Sequence, residues 1–339
     1  FFSLHEILEI LRRIKELNVS IDDELRGWNW KNPPLISPFS KLINVSDLAG
    51  IECKTHRFGY VKYVLKIKGE ENKLLQVGAL THRLYSLAYQ NCKLIVYLYF
   101  PKNGQEFYDK FIEKKQEIYK EAERYYALGS DSKKIVDIIW NYAAHSFASS
   151  YDKIMIQSKH LNPDSVVGII SPVITEFPLD GSLLGFNRSV RIDGYVYPNL
   201  LIEIKTGELR STAELGLACY SLIFESIYHM PIDAGLLLNV VFENDFSSFK
   251  VYEKNVIISE SLRTRLIEER DEFIKIVENE IDPGLPEFCD PKCPYLKVCK
   301  NEKPKKCFLS MITELFYLQS RECLFLRKRI QRLKLVQQT

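Results

Sequence analysis

At 339 residues the chain can bury a sizeable core, as one large elaborated domain or two of ordinary size. Hydrophobic residues at 46% and charged residues at 27% give the balance of a soluble globular protein. A formal charge of +2 excludes a nucleic-acid partner announced by overall charge, so any basic footprint has to be local.

The first segment, FFSLHEILEILRRIKEL, places Leu4, Ile7, Leu8, Leu11 and Ile14 at helical spacing with charge between them. That predicts a helix over 4–17, unlike the unbroken apolar core of a signal peptide. The apolar runs LIVYLYF (94–100) and AGLLLNVVF (234–242) fall short of the roughly 20 residues a spanning helix needs. A cytoplasmic protein with no membrane partner is expected. There the eight cysteines read as metal ligands or buried apolar residues rather than disulfides, proteins of hyperthermophiles excepted.

The segment RGWNWKNPPLISPFSKL (26–42) reads as irregular, and Asn44 or Ser46 then opens a second helix with Asp47 in its first turn. A helix over about 76–89, a short apolar strand over 94–100 and charged helices across 104–127 and 132–149 follow. From about 165 the pattern changes to strands, in VVGIISPVITEFPLD, SVRIDGYVY and LLIEIKTG. A helix over 211–229, strands over 234–243 and 249–258, and a charged helix stopped at Pro283-Gly284 complete an α/β fold, a mixed sheet flanked by helices. PEFCDPKCPYLKVCKNEKPKKC (286–307) is too rich in Cys and Pro for a core element, and a C-terminal helix carries the basic run RKRIQRLK (327–334), which reads as a solvated face. The chain thus divides into an N-terminal helical region (1–75), a core (76–282) and a C-terminal cysteine-rich region (283–339).

Within the core, RIDGYVYPNLLIEIKTG (191–207) sets carboxylates into apolar strand sequence. Tyr197-Pro198-Asn199 is turn chemistry between two alternating runs. Counting outward from Pro198 sets Val196 against Leu200, Gly194 against Ile202 and Asp193 against Glu203. Like charges opposed on a sheet are destabilising, and burying them unpaired costs more. Period-2 geometry puts Lys205 on the face of Glu203, so its ammonium offsets part of the charge and leaves room for a divalent cation. The plainer reading is a lysine paired with one acid at a solvated sheet edge. Against it stand Gly194 and Gly207, which give room for a close approach, Glu176 on the preceding strand, and VGALTHRLYSLAY (77–89), where Gly78 and His82 share a helical face. Alone, His82 reads as a helix-surface or core histidine.

Cys289, Cys293 and Cys299 have three and five residues between them, and Cys53 precedes the first by 236. A zinc ribbon presents two close pairs, whereas a lone cysteine with a distant triplet suits a cubane cluster joining the two ends of the chain. Cys92, Cys219 and Cys323 sit in apolar contexts and read as packing residues.

Gly-x-x-x-His, Asp-Gly and Glu-x-Lys-Thr-Gly, in that order, resemble the RecB-like branch of the PD-(D/E)xK nuclease superfamily. With VSDLAGIEC and the cysteine triplet, the chain resembles the CRISPR-associated iron-sulfur exonuclease family, and ELRGWNW followed by PPL resembles its archaeal type I-A subtype. The resemblance implies a restriction-endonuclease-like core, with Mg²⁺ or Mn²⁺ held by His82, Asp193, Glu203 and the carbonyl of Ile204, and with Lys205 catalytic beside Asp193 and Glu203. It implies a 4Fe-4S iron-sulfur cluster on Cys53, Cys289, Cys293 and Cys299. Cys307 is a candidate substitute ligand, because relatives usually have two residues rather than three in the first gap. Glu176 and Tyr220 are accessory candidates. Relatives carry Gln-x-x-x-Tyr before Tyr220, where this chain has Gly216, so Glu214 is a candidate for the missing role. The implied activity is a metal-dependent exonuclease on single-stranded DNA or DNA ends, processing DNA for spacer acquisition beside spacer-integration proteins. The competing expectations are a non-catalytic DNA-end-binding iron-sulfur scaffold and a recombination-repair nuclease. Arg26, Trp28, Trp30 and the basic run at Arg327, Lys328, Arg329 and Arg332 are candidates for strand contact, with packing the plainer role of the Trp segment.

Overall fold

The computed structural model describes residues 1–16, 20–157 and 161–301. Cys307, Cys323 and the basic run of 327–334 lie outside the described residues.

Helix α1 (Leu4–Lys15) opens on a capping box in which Ser3 and Glu6 satisfy each other's backbone donors, and it closes on Arg12, Arg13 and Lys15, which suit the negative end of the helix dipole. A second capping box, between Asn44 and Asp47, starts the short α2 (Val45–Ala49), so Asn44 rather than Ser46 is the cap. A single turn, α3 (Arg57–Gly59), runs into a π-helical turn over Tyr60–Val64. Helix α4 (Lys73–Tyr99) then continues for 27 residues.

The strand expected over 94–100 is therefore the last turns of α4. Val77, Leu80, Leu84, Ala88, Cys92 and Ile95 are buried at intervals of three and four, so the helical period carries through the apolar run and leaves Leu94, Tyr97 and Leu98 exposed. Helices α5 (Gly104–Glu113), α6 (Lys115–Ala122) and α7 (Asp131–Gln157) follow as expected. The strand expected from 165 is displaced in the same way. Asn162 caps and Pro163 begins α8 (Pro163–Ile170), and β1 starts only at Ile174.

The sheet has five strands in the order β1 (Ile174–Leu179), β2 (Val190–Val196), β3 (Leu200–Thr206), β4 (Ala234–Phe242) and β5 (Phe249–Ile257). All neighbours are antiparallel except β3 and β4, whose parallel pairing needs the crossover helix α9 (Ala213–Tyr228). Helix α10 (Glu260–Asn279) and the short α11 (Leu296–Asn301) complete the described chain.

Alternation along the central strands divides the apolar residues between two cores. Ile202, Ile204, Leu236 and Leu238 pack with α1, α4, α5, α7 and α8. Leu201 and Leu237 face α9 and α10 with Val45, Leu48, Phe58 and Val61. The RGWNW segment is fixed to the second side by buried charge. Arg26 lies 2.9 Å from Glu225 and 2.6 Å from Asp233, and the fully buried Arg263 meets both acids at 2.9 Å. The Trp28 indole donates to Asp23 at 2.9 Å and Trp30 packs against the second core, so Arg26 and Trp30 serve packing.

Candidate active site

The hairpin pairs Val196 with Leu200, Tyr195 with Leu201 and Gly194 with Ile202, the register set by its turn. The ladder stops at the next level, where Asp193 would oppose Glu203. Asp193 Oδ2 instead accepts from the Ile204 N–H at 2.8 Å, and Oδ1 lies 2.8 Å from His82 Nδ1. The disturbance crosses into β1. Between the pairs Thr175–Gly194 and Phe177–Ile192, Glu176 takes a left-handed φ of 54°. For a residue with a Cβ this costs about 1–2 kcal/mol. Beyond this level β2 reverses its faces: Ile192 belongs to the α9 core and Val196 to the α4 core. The kink delivers the Asp193 carboxylate to α4.

Gly78 explains how α4 comes near enough to receive it. A Cβ there would stand 3.1 Å from Thr206 Oγ1, so the glycine lets the helix settle on the end of β3, one turn from His82. Burial disfavours the charged imidazole, but the Asp193 carboxylate outweighs it and raises the pKa of His82. The partner carboxyl is lowered: burial opposes its ionisation, and His82, the Ile204 amide and Lys205 overcome that. Glu203, 2% exposed, is pushed up by burial, with Lys205 working against the rise from 2.5 Å.

Glu203 Oε2 is buried with no hydrogen-bond partner among the described residues. An orphaned carboxylate oxygen is costly, and it is the kind of atom a hard cation relieves. The donor chemistry of His82, Asp193, Glu203 and the Ile204 carbonyl fits Mg²⁺ or Mn²⁺. Among the described residues, though, no three His, Cys, Asp or Glu side chains converge as a closed ligand set, because His82 and Asp193 spend facing atoms on each other.

The accessory residues divide. Glu176 turns to Arg191 at 4.0 Å. Tyr220 comes to the site: burial first, then the charges of Glu203 and Asp193, hold its phenol well above the usual range. Glu214 does not stand in for the missing glutamine, because it pairs with Lys254 on β5. Gly216 has its own logic. A Cβ there would lie 3.0 Å from Glu203 Oε1 and 3.3 Å from Ala49 Cβ, so the glycine seats α9 against the carboxylate.

The cysteine region is stitched to the sequence around Cys53. Thr55 Oγ1 donates to the Gly284 carbonyl at 2.9 Å, and the Glu70 amide donates to the Pro294 carbonyl at 2.9 Å. Arg57 forks onto Asp282 at 2.9 and 3.0 Å and donates to the Cys299 carbonyl. Burial pushes the Cys299 thiol up to about 11; Arg57 opposes this, and the neighbouring thiols of Cys293, Cys53 and Cys289 add to it. The charges of Cys293, Cys53 and Cys289 thus reach Cys299, with Cys53 and Cys293 half-buried, and thiolates are the donors an iron-sulfur cluster takes, but among the described residues no three of these cysteines converge as a closed ligand set. Cys92 and Cys219 are fully buried in the cores.

A cleft of about 1180 Å³ is lined by His82 and Lys205 and also by Cys289 and Lys292. No helix among the described residues is long and apolar enough to cross a membrane.

The family described as CRISPR-associated exonuclease Csa1 matches residues 1–303. The chain belongs to that family. The CRISPR-associated exonuclease Csa1 of Saccharolobus solfataricus is 32% identical over 304 residues, spanning 88% of this chain and 99% of the relative. That of Thermoproteus tenax is 26% identical over the same shares. The Csa1 match takes in the hairpin, His82 and the four cysteines, and leaves 304–339 outside it.

Proposed function

We propose that the chain is a divalent-metal-dependent DNA exonuclease with a restriction-endonuclease-like PD-(D/E)xK core and a cysteine module that carries a 4Fe-4S cluster. It acts on single-stranded DNA or DNA ends and trims DNA for spacer acquisition alongside spacer-integration proteins. One observation carries this reading: a half-buried Asp193 paired with His82 and a buried Glu203 paired with Lys205, the Glu203 Oε2 being left orphaned. The relatives' description as CRISPR-associated exonucleases supports the exonuclease part of it.

His82, Asp193, Glu203 and the Ile204 carbonyl would hold Mg²⁺ or Mn²⁺. Such an ion supplies Lewis acidity at the scissile phosphate and at an attacking water. Lys205 Nζ, fixed at 2.5 Å from Glu203, orients that water and meets the charge that grows on the phosphate oxygens. Tyr220 and Gly216 hold Glu203 in its place from α9. Cys53, Cys289, Cys293 and Cys299 would hold the cluster, whose part is structural, fixing the cysteine segment that lines the cleft.

The test is Lys205→Ala on end-labelled single strands, assayed anaerobically with Mg²⁺ or Mn²⁺. Loss of degradation is expected, and undiminished metal-dependent degradation would sink the catalytic assignment. A second reading, a non-catalytic DNA-end-binding scaffold, draws support from the His82–Asp193 bond, which occupies two of the prospective ligands. It requires tight binding, no turnover in either metal, and indifference to substitution at Asp193 or Glu203.

A further inference from the structure

We propose that Phe288 is a specificity-determining residue that stacks on an unpaired nucleobase of a strand lying in the cleft. The inference rests on the proposed nuclease reading, and takes the cleft that holds Lys205 as the path of the strand. Single apolar side chains on an open surface are ordinary, and Phe288 differs from them by position. Phe288 is 77% exposed, more than the other large apolar residues that line the cleft, and His82 and Lys205 line the same cleft. No other aromatic ring packs on it among the described residues.

The surrounding bonds fix this position. The loop that follows the lysine strand turns at Gly207, whose φ is 77°, and is then tied to the cysteine region by two ion pairs. Arg210 meets Asp290 at 2.7 Å and Lys292 meets Glu208 at 2.8 Å, both just after Cys289 and close to Phe288 in the chain. The same loop presents Leu209, 39% exposed, to the same cleft. The loop that leaves the lysine strand thereby ties down the segment that carries Phe288, and both line the cleft that holds Lys205. Lysines and acids are mixed along the walls, so charge alone gives the cleft little grip on a strand. A base face is then the complementary feature a flat ring recognises, in any sequence, and a base inside a duplex does not present one. This favours single strands and frayed ends over intact duplex.

The experiment measures binding of a fluorescein-labelled 20-mer by the full chain, purified anaerobically, in chelator so that no hydrolysis occurs. Phe288→Ala is expected to weaken binding about ten- to hundredfold, the scale of one lost base–aromatic stack. Phe288→Trp should restore binding and Phe288→Leu should not. A series of 20-mers, each with one abasic position, adds a readout that a merely structural role would not move. One position should cost the native chain affinity and cost Phe288→Ala nothing further. Visible absorbance and melting temperature serve as controls on folding beside Cys289. Equal affinities for the native chain and Phe288→Ala, or full rescue by leucine, would overturn the proposal, as would a lowered melting temperature with unchanged binding, which would mean that Phe288 packs on the chain itself. The two readings fail separately. A chain that degrades single strands yet ignores Phe288→Ala defeats only the stacking role, whereas Phe288-dependent binding without turnover in Mg²⁺ or Mn²⁺ defeats only the nuclease.

Discussion

The carboxylate hairpin and the cysteine region both bring like groups within electrostatic reach of one another, and they do so over different lengths of chain. The hairpin draws Asp193, Glu203 and Lys205 from two adjacent strands and borrows only His82 from elsewhere. The cysteine region joins Cys53 to a segment more than half the chain away, through Thr55, Arg57 and Glu70. Glu203 and Lys205 are placed by the β3–β4 register, so the backbone ladder holds their geometry through a side-chain substitution. Groups placed by tertiary bonds depend on those bonds. Damage to the hairpin should therefore appear first in chemistry, and damage to the module first in stability.

The sharpest contrast sets Lys205→Ala against Arg57→Ala. The first should lower degradation about 10²–10³-fold, the scale of losing one pre-organised electrostatic group, while urea unfolding moves comparatively little. The second removes the buried partner of Asp282 and should cost about 3–5 kcal/mol in unfolding free energy, with activity per folded molecule largely kept. If Arg57→Ala folds as firmly as the native chain, the comparison is wrong.

Acid should reproduce part of that loss. Burial raises the Asp282 carboxyl, but Arg57 and the Gly284 amide outweigh it and hold the group below its ordinary value of about 3.9. A depressed carboxyl contributes stability that is complete above the ordinary value and disappears as pH falls through the folded one. Stability followed from pH 5 downward should therefore decline more steeply in the native chain than in Arg57→Ala.

Cys289→Ser tests the module's cofactor. Loss of visible absorbance with a lowered melting temperature is expected, and colourless native protein with stoichiometric zinc would defeat the iron-sulfur assignment. Smaller effects come from the glycines. Gly216→Ala presses a methyl against Glu203 and Ala49 and should cost about 1–3 kcal/mol together with a measurable fall in turnover. Gly78→Ala meets only Thr206 Oγ1, and the gain in helix propensity, up to about 1 kcal/mol, offsets much of the clash. Its unfolding curve should lie nearly on that of the native chain.

Much of the hairpin was legible because turn residues and a period of two determine its pairing. The kink was not. Nothing marks a glutamate such as Glu176 for a left-handed φ, so the transfer of Asp193 toward α4 has no local signature. Helical spacing put His82 on the face of Gly78 but could not tell a ligand waiting for metal from a partner bonded to Asp193. The segment 94–100 misled because a short apolar run fits a strand or a buried helix equally, and the decisive fact was its phase with Val77 and Leu80. At Asn162-Pro163 a cap and a first-turn proline were present, and the β-branched residues that follow obscured them. Phe288 was passed over because the cysteines around it drew the reading toward metal.

Strand β3 is the middle of five, paired on both edges, and its amides should be among the last in the molecule to exchange with solvent deuterium. The Ile204 amide is an exception within that strand, since the side chain of Asp193 holds it. Its protection therefore reports on a carboxylate rather than on the sheet. A single slow proton in the best-guarded strand can thus serve as a clock for the occupancy of the site, running faster whenever Asp193 turns to another partner.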